Sequence, residues 1–327
     1  MKSMNNYLVF GAGAIGSVIG GFLAKSGEKV TLFGRKSYMD AVKKEGLRIS
    51  GIWGEHHIKN LSCFSELKGL TNHNFDIILF SVRAYDTSSA LRQIAPLVGQ
   101  DTLVVSLQNG LGNVEKIAEI IGPEKTVGGR VIFGAKKMEP GHVAVTVYAE
   151  EVMLGPIQSA EKDSRNKVYE KMKILAEKMT QSGVPTKPTL EIEKYLWAKV
   201  LYNSALNPLS ALLSATYGEL AENPFTHKIM EDIIREIFKV ANAKKVKLFW
   251  DKPEGYFEKF FEQEVPPTAA HRSSMLQAIE SGRKVEIDAL NGAIVEFAFQ
   301  ENISVPYNDL LTRLVKAKEH RISKQKN

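Results

Sequence analysis

Three polar side chains stand four positions apart in the stretch LWAKVLYNSALNPLSALLS, residues 196–214: Lys199, Asn203 and Asn207. On an α-helix four residues advance the chain by about 400°, so successive members of the set are offset by only about 40°. The spacing predicts one cation and two amides on a single face. The surrounding residues, Leu201, Leu206, Leu209, Leu212 and Leu213, are too apolar for a wet surface of short amides. The pattern reads as the polar floor of a pocket, with a structural stripe as the alternative. Pro208 directly after Asn207 is expected to weaken the helix and free a carbonyl nearby. A lysine against apolar walls suits proton donation, because desolvation lowers an amine from about 10.4 towards working pH.

A second constellation lies near the start. GAGAIG, Gly11, Ala12, Gly13, Ala14, Ile15 and Gly16, fits G-x-G-x-x-G. The pattern alone is common, but here an apolar run precedes it and a helical pattern follows. Gly11 permits the tight turn, Gly13 lets backbone approach a pyrophosphate, and Gly16 lets helix and strand pack closely. The helix N-terminus then offers N–H groups to phosphates. At the end of the second strand, where an NAD site usually carries an acid, the sequence reads LFGRKS. Arg35 and Lys36 there favour NADP(H), since a guanidinium grips a 2′-phosphate that a carboxylate would repel. Arg83, just past IILFSV, is a candidate for a second phosphate or adenine contact. Asn109, in LQNGLG, reads equally as a turn residue and as a contact to the nicotinamide ribose or substrate.

These groups need elements to hold them. YLVF (7–10), KVTLF (29–33), DIILFSV (76–82) and TLVVSL (102–107) read as buried parallel strands, with a helix from about 14 to 26 between the first two. This βαβ rhythm predicts an α/β, Rossmann-type doubly wound N-terminal domain, residues 1–186. Residues 131–149 read as a hairpin around Pro140-Gly141 that extends the sheet, followed by a helix at about 161–181. SGVPTKP (182–188) has linker composition. Beyond it, helices at about 190–214, 224–244, 272–281, 285–302 and 307–322 predict an all-helical C-terminal domain, residues 187–327.

Composition agrees with an ordinary globular chain: 327 residues, 44% hydrophobic and 24% charged. The single cysteine, Cys63, precludes an intrachain disulfide and fits a reducing compartment. Six bases and one acid after Leu310 supply five of the six net positive charges, so the basic balance reads as a solvated helix end rather than a nucleic-acid surface. Tyr7–Ala24 is uncharged over 18 residues, but three of its five glycines, Gly11, Gly13 and Gly16, form a nucleotide turn, which argues against a membrane span. With Lys2 alone as n-region and no cleavage site, no signal peptide is expected, and the chain reads as cytoplasmic. Trp53, His56 and His57 in GIWGEHHIKN lack a third nearby ligand, so no metal site is expected.

A last cluster is HRSSMLQAIESGRKVEIDALNG, 271–292, where Ser273 and Ser274 are positioned to cap a helix and Glu286 to open the next. Together with GAGAIG, QNG and LWAKVLYNSALNPLSAL, the SSMLQ and VEIDALNGAIV segments make the chain resemble the ketopantoate reductase family along nearly its whole length. That resemblance implies NADPH-dependent reduction of 2-dehydropantoate in a cleft between domains, with Lys199 as general acid and Glu286 as the second essential polar residue. It further implies that Asn203 and Asn207 line the substrate site, that Ser274 holds the substrate carboxylate and that Asn109 acts near the nicotinamide. Better-known members carry asparagine where His271 stands, at a substrate-binding position, so the particular 2-keto acid stays open. Another branched 2-keto acid, or a non-catalytic NADPH sensor, are the alternatives. The expected partner is the small 2-keto acid, without nucleic acid or membrane. The sequence does not set the oligomeric state and is compatible with a homodimer.

Overall fold

In the computed structural model, residues 6–71 and 73–325 are described; Lys2 and Lys326 of the sequence argument lie outside them. The chain divides into two compact units, one holding residues up to Gln108 with Asn113–Glu193, the other Asn109–Gly112 with Lys194 onward.

The first unit is built on strands β1 (Asn6–Phe10), β2 (Lys29–Phe33), β3 (Leu47–Gly51), β4 (His56–Ile58), β5 (Ser62–Phe64), β6 (Ile77–Phe80), β7 (Leu103–Ser106), β8 (Thr126–Arg130), β9 (Phe133–Glu139), β10 (His142–Tyr148), β11 (Val152–Pro156) and β12 (Thr186–Pro188). Eight form one sheet in the order β12-β11-β8-β7-β6-β1-β2-β5. Its pairings are parallel except β8 with β11. β1, β6 and β7 are buried almost throughout, as strands covered on both faces must be. Helices α1 (Ala14–Lys25), α2 (Lys36–Glu45), α3 (Thr87–Ile94), α4 (Asn113–Ile121) and α5 (Lys162–Ser182) belong to the same unit. The uncharged run Tyr7–Ala24 is therefore β1, a turn and α1, and among the described residues no helix is long and apolar enough to cross a membrane.

Several details differ from the sequence reading. The 131–149 hairpin does form, as β9 and β10, but it does not extend the main sheet. It joins β3 and β4 in a separate sheet of order β4-β3-β10-β9, and β11 supplies the antiparallel member of the large one. Trp53, in the turn between β3 and β4, packs on Phe22, Phe133 and Tyr148, which ties the small sheet to α1 and explains the aromatic in that segment. The linker-like SGVPTKP contains β12, an edge strand where Pro188 is tolerated because no further strand needs its N–H. The change of unit falls at Glu193/Lys194.

The second unit is helical: α6 (Ile192–Leu213, its first two residues counted with the first unit), α7 (Tyr217–Glu222), α8 (Pro224–Ala243), α9 (Pro253–Glu258) running into a π-helical turn Lys259–Glu264, α10 (Ser274–Glu280), α11 (Asn291–Gln300) and α12 (Pro306–Gln325). The expected helix at 285–302 is broken. A short turn of 3₁₀-helix, Ile287–Ala289, stops at Leu290, whose φ/ψ of −108°/−106° is not helical, and α11 starts afresh.

α6 continues through Pro208, and the structure shows how. Proline has no N–H for the carbonyl four residues back, which is Ser204. The amide of Asn291 donates to that carbonyl at 3.1 Å and also to Asn308 Oδ1 at 3.0 Å. Asn308 in turn donates to the buried carboxylate of Glu236, which accepts the first-turn N–H groups of Tyr307 and Asn308 at α12. One buried network thus repairs α6 and caps α12. At the other end of α6, Lys318 of the basic tail donates to the orphan carbonyls of Ala211 and Leu212.

Candidate active site

In the first unit the glycine turn lies at the carboxyl ends of β1, β2 and β6. The N–H groups of Gly11 and Ala12 both donate to the Phe33 carbonyl, at 3.0 and 2.8 Å. Gly11 has φ +91°, and a Cβ there would sit 2.7 Å from the Val82 backbone. At Gly16 a Cβ would press on Ser81 Oγ and Val9, so that glycine is required by packing of α1 on the sheet. Gly13 is different. Its backbone is ordinary (φ −83°), and a Cβ would meet only the Gly11 carbonyl, at 3.6 Å. Nothing in the protein demands a glycine there. The space a Cβ would fill is the approach to the first turn of α1, which has no side-chain cap and no acid. Those features fit a dinucleotide pyrophosphate held by free helix N–H groups.

Beyond β2, Arg35 is the N-cap residue of α2. Lys36, its neighbour, is engaged with Asp40 at 2.7 Å, leaving Arg35 as the strand-end cation available to a ligand. Arg83 caps the short turn Ala84–Asp86 after β6. That turn is anchored by Gln108, whose amide donates to the Val82 carbonyl (3.1 Å) and Thr87 Oγ1 (2.7 Å). The sequence argument had no role for Gln108; its place next to Asn109, at the end of a buried strand, was the available signal.

In the second unit, the half-buried Lys199 and Asn203 and the buried Asn207 follow one another along α6. Lys199 Nζ donates to Asn109 Oδ1 at 2.6 Å. Asn109 is presented by a turn that only glycine can complete. Gly110 has φ +88°, and a Cβ on it would lie 2.0 Å from the Ala289 carbonyl oxygen. That same oxygen accepts the Leu111 N–H at 2.8 Å. The half-buried Glu286 immediately precedes the turn Ile287–Ala289, so the loop carrying Asn109 is tied to the segment carrying Glu286.

Asn207 is held by a residue that the sequence reading passed over. The hydroxyl of Tyr217 donates to Asn207 Oδ1 at 2.7 Å, so the amide N–H groups are the part of Asn207 left to face a ligand. Thr216 and Glu219 form a capping box that starts α7 at Tyr217, and this T-x-x-E signature was visible in the sequence. Burial pushes the Tyr217 phenol well above its usual range, which keeps it a donor. His271 lies 5.1 Å from the Tyr217 ring, and its carbonyl accepts the Tyr217 N–H. Desolvation lowers the His271 pKa below the ordinary 6.5, favouring the neutral ring at neutral pH.

The two serines divide their work. Ser273 is the buried N-cap of α10, accepting the Leu276 N–H at 2.9 Å and donating to the Asn207 carbonyl at 3.4 Å. Ser274 is the exposed first helical residue, and its hydroxyl has no protein partner among the described residues. His56 and His57 are taken up by backbone carbonyls, those of Trp53 and Glu45, and His56 also by Lys25.

A sheet unit with a pyrophosphate turn and a helical unit with a lysine–amide face are the two halves of a nicotinamide-dependent oxidoreductase. Sequence comparison resolves the class further. The model of the family described as Ketopantoate reductase PanE/ApbA matches residues 7–159, and that of its C-terminal domain matches residues 191–319. The chain belongs to the ketopantoate reductase family. It is 42% identical to the 2-dehydropantoate 2-reductase of Aquifex aeolicus over 96% of both chains. It is 37% identical to that of Pyrococcus horikoshii over 95% of this chain and 96% of the relative. Among solved structures, a 2-dehydropantoate 2-reductase from Geobacter metallireducens superposes with TM-score 0.85 at 27% identity, covering 95% of this chain and 99% of that one. A D-mandelate dehydrogenase solved with NADH and anilino(oxo)acetate does so with TM-score 0.85 at 28% identity, covering 97% and 99%.

Proposed function

We propose that the protein reduces 2-dehydropantoate to pantoate with NADPH. The observation that carries this reading is the 2.6 Å hydrogen bond from Lys199 to Asn109, on the face of α6 that also bears Asn203 and Asn207. It holds a protonated amine at a defined point, with a neutral acceptor on one of its three N–H bonds.

When bound, the reduced nicotinamide supplies a hydride to the keto carbon. The chain's own residues do the rest. Lys199 donates a proton to the carbonyl oxygen as negative charge develops on it, and is then reprotonated from water. Asn109 fixes the Nζ position, so little reorganisation is needed at the moment of transfer. Asn203 and Asn207 orient the substrate, and Asn207 does so as a donor because Tyr217 occupies its oxygen. Ser274 holds the substrate carboxylate, and Glu286 is the second polar group of the reaction. The first turn of α1 would receive the cofactor's phosphates, and Arg35 and Arg83 would be the counter-charges for the 2′-phosphate. The reaction requires the half-sites of both units to meet on the two ligands, which is the expectation of a cleft that closes on them.

A steady-state screen of purified protein against a panel of 2-keto acids tests the reading. NADPH oxidation with 2-dehydropantoate should exceed that with analogues lacking the 4-hydroxyl. Equal or better turnover of an analogue without that hydroxyl would replace it with the second reading, another 2-keto acid. The likeness to a D-mandelate dehydrogenase, together with His271, favours that second reading over others. Absence of any reduction would leave a nucleotide-binding sensor.

A further inference from the structure

We infer that Lys137, on β9, is a third cation for the cofactor's 2′-phosphate, acting with Arg35 and Arg83 to set the preference for NADPH over NADH. The inference rests on the NADP(H) reading above and deepens it.

Lys137 is placed by an aromatic ring. Its Nζ lies 3.9 Å from the centroid of the Tyr38 ring. Tyr38 is itself immobilised. It is buried, its hydroxyl donates to Ser17 Oγ of α1 at 3.1 Å, and its N–H donates to the Arg35 carbonyl at 3.0 Å. One ring therefore links three parts of the nucleotide unit: the helix that receives the pyrophosphate, the turn that carries Arg35, and the strand that carries Lys137.

The charges around this ammonium are all of its own sign. The charged groups that act on it are the guanidiniums of Arg35 and Arg83, and no carboxylate opposes them. The Lys137 side chain makes no hydrogen bond or ion pair with the described residues. The nearby acids are engaged elsewhere: Glu139, on the same strand, with Arg48 and His142, and Asp40, on α2, with Lys36. Crowding by neighbouring atoms, then Arg35 and Arg83, push the Lys137 ammonium down to about 8. The Lys137 ammonium, with no carboxylate acting on it, is repelled by both guanidiniums in the ligand-free protein. A phosphomonoester, with charge of about −1.5 to −2 at pH 7, relieves that repulsion; a ribose hydroxyl does not. Binding it should draw Lys137 back to its protonated form.

The test is cofactor binding, followed by nicotinamide fluorescence for NADPH and NADH with the wild type and with Lys137→Met, Lys137→Arg and Arg35→Ala. Lys137→Met should weaken NADPH by about tenfold or more, as loss of a charged hydrogen bond does. NADH binding should move less than about twofold and serves as the check on folding. Lys137→Arg should restore most of the preference. In the wild type the NADPH preference should fall between pH 7 and pH 9, and in Lys137→Met it should not. A preference for NADPH that survives Lys137→Met but is lost in Arg35→Ala would overturn the inference while leaving the NADP(H) reading intact. A wild type that binds both cofactors equally would overturn both.

Discussion

Asn109 and Lys199, ninety residues apart in sequence, are joined by a 2.6 Å hydrogen bond in which the ammonium donates to the amide oxygen. The bond assigns the two residues different tasks. On the proposed reading, Lys199 carries the proton and Asn109 sets where it is delivered. Lys199→Ala should lower kcat by about 10²- to 10⁴-fold, the usual contribution of a positioned general acid, with little change in NADPH affinity. Asn109→Ala should give a smaller loss, because the proton remains and only its placement suffers. Single-turnover kinetics with saturating NADPH separate the two. An intact rate in Lys199→Ala would remove the lysine from the chemistry.

The Asn109 loop depends on Gly110 for two independent reasons, a φ of +88° and the approach of the Ala289 carbonyl. Gly112, two residues on, has φ +80° but open space around it. Alanine at 112 should therefore cost only the backbone strain, about 1–2 kcal/mol. Alanine at 110 adds a backbone clash, for a total of about 2–5 kcal/mol, and displaces Asn109 from Lys199. Thermal unfolding of the two variants should show the larger drop at 110, and the reductase activity of Gly110→Ala should fall further than its stability explains. Equal effects at the two sites would mean that the loop is not pinned to Ala289.

How far sequence anticipated this structure depended on whether the signal was local. The strands β1, β2, β6 and β7 were legible from apolar runs, and α6, α8 and α12 from periodicity, because burial of those residues is set by their own pattern. The glycine turn was legible because Gly11 and Gly16 each answer a steric demand of the fold, while Gly13 keeps open the approach to α1. The break at Leu290 was not, although Asn291-Gly292 in VEIDALNGAIV is a turn dipeptide, because the apolar periodicity runs on through it. It is imposed by tertiary structure, where Ala289 must leave its carbonyl free for Leu111. The small sheet was missed for a similar reason. β3 and β4 are short, and β10 pairs in parallel with β3 nearly a hundred residues earlier, which no local signal encodes. Lys137 and Tyr217 did not stand out, because a lysine in an exposed strand and a tyrosine in a capped helix are both ordinary until their neighbours are known.

His271 gives a pH dependence with a definite sign. Its folded pKa is depressed by desolvation, so the unfolded chain binds the proton more readily. Its contribution to stability is present above the unfolded value of about 6.5 and declines as pH falls from there towards the lowered folded value. Above pH 7 the ring is neutral and should bind substrate as a hydrogen-bonding group, not as a charge. The KM for the keto acid should therefore stay flat from pH 7 to pH 8 and change below pH 6.5, and His271→Asn should remove the acid-side change. A flat profile across the whole range in the wild type would exclude His271 from the substrate site.

Tyr217 offers the sharpest check on how the amide face reads its ligand. Its hydroxyl fills Asn207 Oδ1 at 2.7 Å, so on the proposed reading the wild-type amide faces the substrate only with its N–H groups. Tyr217→Phe keeps the ring against His271 and Tyr202 but releases the amide oxygen. The Asn207 side chain can then turn and present an acceptor, which repels the oxygen atoms of a keto acid. The expected signature is a KM raised about tenfold, the scale of one hydrogen bond, with kcat changed far less, because Lys199 and Asn109 are untouched. A purely structural role for Tyr217 would instead lower the amount of active enzyme and leave KM where it was. Adding Asn207→Ala to Tyr217→Phe should produce no further rise in KM, since the tyrosine acts through that amide alone. An additive rise in the double variant would show that Tyr217 meets the substrate by another route.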